Sequence, residues 1–176
     1  MNGGLFAQAG MAVVVLAMIG VVAPIDLAGG SQGGDSRRRS FSARLHGGNE
    51  TPAVFSTGRG FAVLRLNDAA ETIDFIVSYS NLEGATTDVA HVHFGQTGVA
   101  GGIMFFLCGG PTTGACAPTS GTVTGTAGPA DIIGPDGQGI ASGEFAEALT
   151  AIRAGLGYVN VHTDKHPGGE IRGQLR

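Results

Sequence analysis

Two alternating runs of apolar and polar residues occupy residues 61–79, with the sequence FAVLRLNDAAETIDFIVSY. β-Branched and aromatic residues dominate both runs, and alternation places every second side chain on the same face of a strand. The segment Asn67–Ala70 between them is rich in residues that favour turns. The stretch therefore predicts two half-buried strands joined as a hairpin.

Similar strand patterns recur at short intervals through residues 41–176, bounded by Gly, Asn, Asp or Ser. The predicted strands are Phe41–His46, Gly60–Asn67, Thr72–Tyr79, Thr87–Phe94, Ile103–Leu107, Thr122–Thr126, Leu156–Thr163 and Glu170–Leu175. About eight short strands without an internal repeat favour an all-β fold, either a β-sandwich or a Greek-key barrel. Residues 41–176 have the length of a single domain with one core.

One segment, residues 143–155, departs from the strand pattern. Its large apolar residues Phe145, Leu149 and Ile152 are spaced i, i+4 and i+7, which is helical spacing. Ser142 precedes the segment as a candidate cap, and Gly155 follows as a candidate terminator. We therefore predict one short helix that covers an end of the sheet.

The composition excludes some classes of function. The chain has 176 residues, of which 32 are Gly, and only 14% are charged; the formal charge is −4 and the isoelectric point is about 5.6. Such a chain has no basic surface to neutralise phosphates, so nucleic acid is not an expected partner.

The N-terminal part contains an uncharged stretch at residues 5–23, LFAQAGMAVVVLAMIGVVA. Its length approaches the roughly 20 residues of a transmembrane helix. The first ten residues lack Lys and Arg, and the small-residue cleavage sites are poor, which weakens a signal-peptide interpretation. Residues 1–28 are thus a signal peptide or a hydrophobic transmembrane anchor, and residues 29–40 a flexible linker.

Localisation rests on conflicting features. The three arginines at 37–39 would hold their side of the membrane in the cytoplasm if the segment stayed inserted. Cys108 and Cys116 point the other way, because turn residues between them would allow a disulfide in an oxidising compartment. Two buried free thiols are the alternative. We expect an extracytoplasmic domain, periplasmic or secreted, either released or anchored in the inner membrane by residues 5–23.

Polar stripes mark three of the predicted strands. His91 and His93 share one face of their strand, and Tyr158, Asn160 and His162 share one face of another. Glu170, Arg172 and Gln174 follow the same spacing on a third strand. If these strands are neighbours, His91, His93 and His162 converge as ligands for zinc or copper, with Glu170 as a fourth ligand or an acceptor behind them.

A polar network is the competing interpretation of these stripes. Asn160, Glu170 and Arg172 would then form hydrogen bonds and an ion pair that fix the register of the strands, and no metal is needed. Three further polar residues, His46, Glu50 and His166, lie in turn-like sequence, where exposed side chains are expected. No Ser-His-Asp or Cys-His arrangement predicts a nucleophilic enzyme.

At these residues the chain resembles the CHRD family, domains first described in chordin and also found singly in bacterial exported proteins. Three ordered blocks carry the resemblance: LHGGNETP at 45–52, AHVHFG at 90–95, and YVNVHT at 158–163 with PGGEIRGQ at 167–174. The resemblance covers most of residues 41–176. It implies a β-sandwich or barrel outside the cytoplasm, in a family without a generally assigned reaction.

The segment His91–Gly95 also resembles the copper-ligand strand of copper/zinc superoxide dismutases. Their dinuclear site needs about six His and an Asp, whereas this chain has five His, so dismutase activity is not expected. Our leading hypothesis is a non-enzymatic module that contacts a protein partner or a membrane protein complex. The alternative is a mononuclear copper or zinc protein that uses His91, His93 and His162.

Overall fold

The structure, a computed structural model, describes residues 1, 38–85 and 87–176. The predicted N-terminal hydrophobic helix, and all of the linker before Arg38, lie outside the described residues. From Arg38 onward the described residues belong to one compact unit. Over the described ranges, every helix is too short or too polar to cross a bilayer.

All eight predicted strands are confirmed, each within one residue of the expected bounds. They are β1 (Ser40–His46), β2 (Arg59–Asn67), β3 (Thr72–Ser80), β4 (Thr87–Phe94), β5 (Ile103–Cys108), β6 (Gly121–Ala127), β7 (Gly157–Thr163) and β8 (Ile171–Gln174). The single α-helix, α1, runs from Phe145 to Arg153. The all-β class is therefore confirmed.

The strands form one antiparallel sheet in the order β5-β4-β7-β8-β1-β2-β3-β6. The two edge strands, β5 and β6, approach each other, so the sheet curls into a nearly closed barrel. Of the two predicted architectures, the structure shows the barrel. This order places β4, β7 and β8 side by side, which brings the three strands with polar stripes together.

The core lies inside the barrel, because alternating apolar residues of each strand point inward. Leu64, Ile73, Val92 and Val161 are all fully buried there. On β4, β7 and β8 the outward residues are also largely buried. Those three strands are therefore covered on both faces, and their outer face is the polar one.

The helix α1 buries Phe145, Leu149 and Ile152, as its spacing predicted. The predicted cap was wrong, since Glu144 and not Ser142 occupies the N-cap position. The Ser142 hydroxyl instead donates to the Ile132 carbonyl, 3.1 Å away. The side chain therefore braces the preceding loop and does not face the helix terminus.

Cys108 and Cys116 form a disulfide, with Cα atoms 5.1 Å apart. The bond joins the end of edge strand β5 to the loop that leads towards β6. The disulfide alternative is thus confirmed and the free-thiol alternative is wrong. The crosslink therefore restrains the connection between the two edge strands, β5 and β6.

Loss of this disulfide should destabilise the domain. Closing so short a loop contributes about 2.5 kcal/mol in the chain-entropy description. We expect the double variant Cys108→Ser, Cys116→Ser to lose about 2–3 kcal/mol of unfolding free energy, measured by urea denaturation. Reductant should weaken the wild type by a similar amount and leave the double variant unchanged; equal stability of the two proteins without reductant would contradict the prediction.

Candidate metal centre

Three histidines meet on the outer face of β4 and β7. In the register of this strand pair, His91 lies opposite Asn160, His93 opposite Tyr158, and Val89 opposite His162. Val92 and Val161 point into the core. Alternation therefore puts all three imidazoles on the opposite face of the sheet. The predicted convergence of His91, His93 and His162 is therefore observed in the geometry.

The ligand atoms of the three histidines all lie within 4.8 Å of one another. The closest pair is Nδ1 of His91 and Nε2 of His93, 2.8 Å apart. The ring of His162 is centred 4.6 Å from that of His91. Nitrogens bound tetrahedrally to one zinc ion at about 2.0–2.1 Å lie roughly 3.3 Å apart. The separations in the cluster lie on both sides of that value, so side-chain adjustments of about 0.5–1.5 Å would bring the three nitrogens to a coordination sphere.

Backbone carbonyls fix the protonation of two of the rings. Nδ1 of His93 donates to the Gly101 carbonyl over 2.9 Å, and Nδ1 of His162 donates to the Pro167 carbonyl over the same distance. Each neutral ring then carries its lone pair on Nε2. Histidines that bind metals are commonly oriented in this way by a backbone acceptor.

The cluster favours uncharged imidazoles. Burial, reinforced by the neighbouring His162 and His93, lowers the pKa of His91 to about 3. Burial also lowers the pKa of His93 to about 4, although its bond to the Gly101 carbonyl acts in the opposite direction. The pKa of His162 is lowered by burial as well. At neutral pH the rings are therefore uncharged, and a metal ion would not compete with formation of an imidazolium.

An aromatic stack supports the cluster on one side. The ring of Tyr158 lies parallel to that of His93 with centroids 4.7 Å apart, and the Arg172 guanidinium carbon lies 3.4 Å from the centre of the Tyr158 ring. The Tyr158 hydroxyl also accepts a hydrogen bond of 3.1 Å from the backbone amide of Gly101. Sequence analysis placed Tyr158 on the right face but gave it no role.

The loop after β4 approaches the sheet closely at Gly101. A Cβ at this position would collide with the Phe94 carbonyl group. Only glycine therefore allows the chain to bring the Gly101 carbonyl over His93. The Gly-rich run at residues 98–102 thus supplies the acceptor for this histidine.

The predicted polar network forms in part. Asn160 and Arg172 are directly opposite across β7 and β8. Nη2 of Arg172 donates to the carbonyls of Val99 and Gln96 at 2.8 and 3.1 Å, so the arginine ties the loop after β4 to β8. These two residues do hold strand and loop together.

Glu50 was predicted to be a solvated turn residue, and that prediction was wrong. It is 9% exposed, and its Oε1 accepts a hydrogen bond of 2.6 Å from Nδ2 of Asn160. Burial raises its pKa to about 7, against the lowering effects of Asn160 and Arg172. The loop after β1 folds over the sheet because Asn160 offers this carboxyl a partner.

Glu170 lies in a different group from Asn160 and Arg172. Its carboxylate accepts hydrogen bonds from the Ser56 hydroxyl at 2.6 Å, the Glu83 amide at 2.7 Å and the Thr163 hydroxyl at 2.8 Å. Gly169, with a φ of +121°, immediately precedes it and β8 begins only at Ile171, so the alternation expected at Glu170 does not apply. It forms no ion pair with Arg172 among the described residues, and it is not in the three-histidine group.

The arrangement offers three neutral nitrogen ligands on a partly buried surface. In the described part of the chain the group contains no carboxylate or thiol. The Nε2 atom of His162 is buried without a hydrogen-bond partner among the described residues. Of the other histidines, His46 is exposed as expected, whereas the same expectation for His166 was wrong, because it is half-buried. Neither joins the group.

Comparison with known families agrees with the resemblance carried by the sequence blocks at residues 45–52, 90–95 and 158–174. The family model described as the CHRD domain matches residues 41–175. The described residues from Arg38 onward form a barrel-like β domain. The chain belongs to the CHRD domain family. No curated protein matches it, and no solved structure matches it.

The low pKa values of the cluster can be tested by titration. Because the folded-state pKa values of His91 and His93 are about 3 and about 4, we expect both rings to stay neutral from pH 8 down to pH 5. Ring ¹³C and ¹⁵N chemical shifts, followed by NMR in metal-free protein, should be constant over that range. A titration midpoint above pH 6 for either ring would contradict the burial that we describe.

Proposed function

We propose that this CHRD domain is a non-enzymatic extracytoplasmic module that holds one copper or zinc ion on His91, His93 and His162. The observation that carries the proposal is the buried Nε2 of His162, which lacks a hydrogen-bond partner among the described residues. A buried unpaired acceptor costs about 1–3 kcal/mol. A cation shared with the two neighbouring rings would remove that cost.

The tautomers favour a metal over a purely structural network. A network that existed only to fix register would pair both nitrogens of His162, as it pairs both nitrogens of His93. Here Nδ1 of His93 and Nδ1 of His162 donate hydrogen bonds to the carbonyls of Gly101 and Pro167, which leaves the lone pairs of both rings on Nε2, on the side of the cluster. His91 completes the set when its Nδ1 proton, now shared with His93, moves to Nε2.

The donor set restricts the choice of metal. Imidazole nitrogens suit zinc and copper, whereas calcium and magnesium prefer oxygen ligands. Both cysteines are committed to the disulfide, so no thiolate is available to complete a closed site. Three histidines leave one position open for water or a further ligand.

Metal analysis of the purified full chain tests this proposal. After exposure to copper or zinc and removal of excess ion, we expect about one equivalent per chain. His162→Ala and His93→Ala should each reduce this to less than about a tenth of an equivalent. His46→Ala is the matched control, because it removes an exposed histidine outside the cluster and should bind as the wild type does.

A stability measurement separates loss of the site from loss of the fold. A ligand that binds only the folded state raises the melting temperature. Zinc should therefore raise it for the wild type and for His46→Ala, but not for His162→Ala. Binding of less than about a tenth of an equivalent by the folded wild type would overturn the metal proposal and leave the polar network as the explanation.

The extracytoplasmic location is supported by the disulfide, because such bonds persist in oxidising compartments and are rare in the cytosol. We propose that residues 5–23 direct the domain there and either are removed or remain as an anchor in the inner membrane. A contact with a protein partner or a membrane protein complex is supported by Phe55, which is 97% exposed. Aromatic residues of this kind are enriched at interfaces.

The mature N-terminus distinguishes release from anchoring. Among the small residues that follow the apolar stretch, Ala28 and Gly30 offer a cleavage site after Gly30. Mass spectrometry of the protein isolated from its native cells should therefore find a start near Ser31 if the segment is cleaved, in which case the domain is released. A chain that retains residues 5–23 and fractionates with the membrane would instead support the anchor. Recovery in the cytosol with reduced Cys108 and Cys116 would contradict both.

A further inference from the structure

A groove lies beside the histidine cluster, on the outer face of β1, β2 and β8. It has a volume of about 570 Å³ and is lined in part by Arg44, Arg172 and Arg176. Small-molecule sites typically have volumes of about 300–1,000 Å³. None of its lining side chains is acidic, although the chain as a whole carries a formal charge of −4.

The three guanidinium groups have donors to spare. Among the described residues, none of them forms an ion pair with a carboxylate. Arg172 is buried and held in place by its Nη2 bonds, and its Nη1 makes one long contact of 3.5 Å with Thr51. Arg176 reaches the Thr97 hydroxyl at 3.3 Å. An arginine carries five N–H donors. Arg172 uses three of its donors within the protein, whereas most of those of Arg176 remain available.

The groove also has an apolar wall. Phe61 on β2 lines it and is 45% exposed. Asn49 closes one side, since its amide nitrogen donates to the Arg172 carbonyl over 3.0 Å. Cationic donors therefore face the same space as an exposed aromatic ring.

We propose that this groove binds a small organic anion, a phosphate ester or carboxylate with an apolar group. The anionic oxygens are held by Arg44, Arg172 and Arg176, because guanidinium groups match such oxygens in geometry and charge. The apolar part contacts Phe61. The inference is independent of the metal proposal, since the groove does not include His91, His93 or His162.

Calorimetric titration of the purified full chain tests the groove with phenyl phosphate, phenylacetate and the neutral benzyl alcohol. We expect phenyl phosphate to bind at a single site with a Kd at or below about 1 mM, and benzyl alcohol to give no saturable heat. Tighter binding of phenyl phosphate than of phenylacetate would identify the ligand as a phosphate ester, and the reverse order as a carboxylate. Inorganic phosphate should bind at least about fivefold more weakly than phenyl phosphate, because it lacks the group that contacts Phe61.

Two substitutions locate the binding. Arg44→Gln and Arg176→Gln should each raise the Kd of phenyl phosphate by about tenfold, because each removes one charge-assisted contact. Arg65→Gln is the matched control, because it removes an exposed charge from β2 outside the groove, and it should change the Kd by less than about twofold. All three variants should keep the metal content of the wild type, so a failure here is distinct from a failure of the metal site.

Absence of saturable phenyl phosphate and phenylacetate binding up to about 10 mM would overturn the proposal. An equal loss in Arg65→Gln and Arg44→Gln would overturn it as well, because the attraction would then be a general effect of charge. Circular dichroism of each variant shows that the fold is retained. Arg172 is left unchanged in these tests because its stacking on Tyr158 also supports the barrel surface.

Discussion

The outer face of β4, β7 and β8 depends on one buried guanidinium. Arg172 is 3% exposed, stacks on the Tyr158 ring and donates to two carbonyls of the loop after β4. A buried charge is tolerated only when hydrogen bonds and neighbouring dipoles compensate it. The loop carbonyls provide that compensation, so the position of the loop and the position of the arginine determine each other.

The geometry of the histidines follows from this arrangement. Because Arg172 holds Gln96 and Val99, the chain passes over the sheet and places the Gly101 carbonyl against Nδ1 of His93. The Tyr158 ring packs against the Arg172 guanidinium and also against the His93 imidazole. The position of Arg172 therefore restrains the position of His93. A carbonyl acceptor behind a ring sets its tautomer, and the tautomer decides which nitrogen can bind a cation.

The same arginine separates two regions of different chemistry. On one side are neutral imidazoles, whose low pKa values result from burial. On the other is a groove with three arginines and Phe61. The barrel supports both regions rigidly, because β8 is hydrogen-bonded to β1 on one side and to β7 on the other, and the inward residues of these strands belong to the core. Functional groups on a rigid sheet retain their spacing better than groups carried only by loops.

The sequence by itself determined the class, the eight strands and which histidines share a face of one strand, because alternation depends only on local order along the chain. It left open whether β4 and β7 are neighbours, on which the convergence of His91, His93 and His162 depends. It did not determine the disulfide, for which free thiols remained open, or the choice of barrel over sandwich. It also assigned Glu50 to solvent and Glu170 to the face of Arg172. Only the tertiary structure decided these points, since burial of Glu50 requires Asn160 from a strand 110 residues away, and contacts of that separation leave no periodic signal in the sequence.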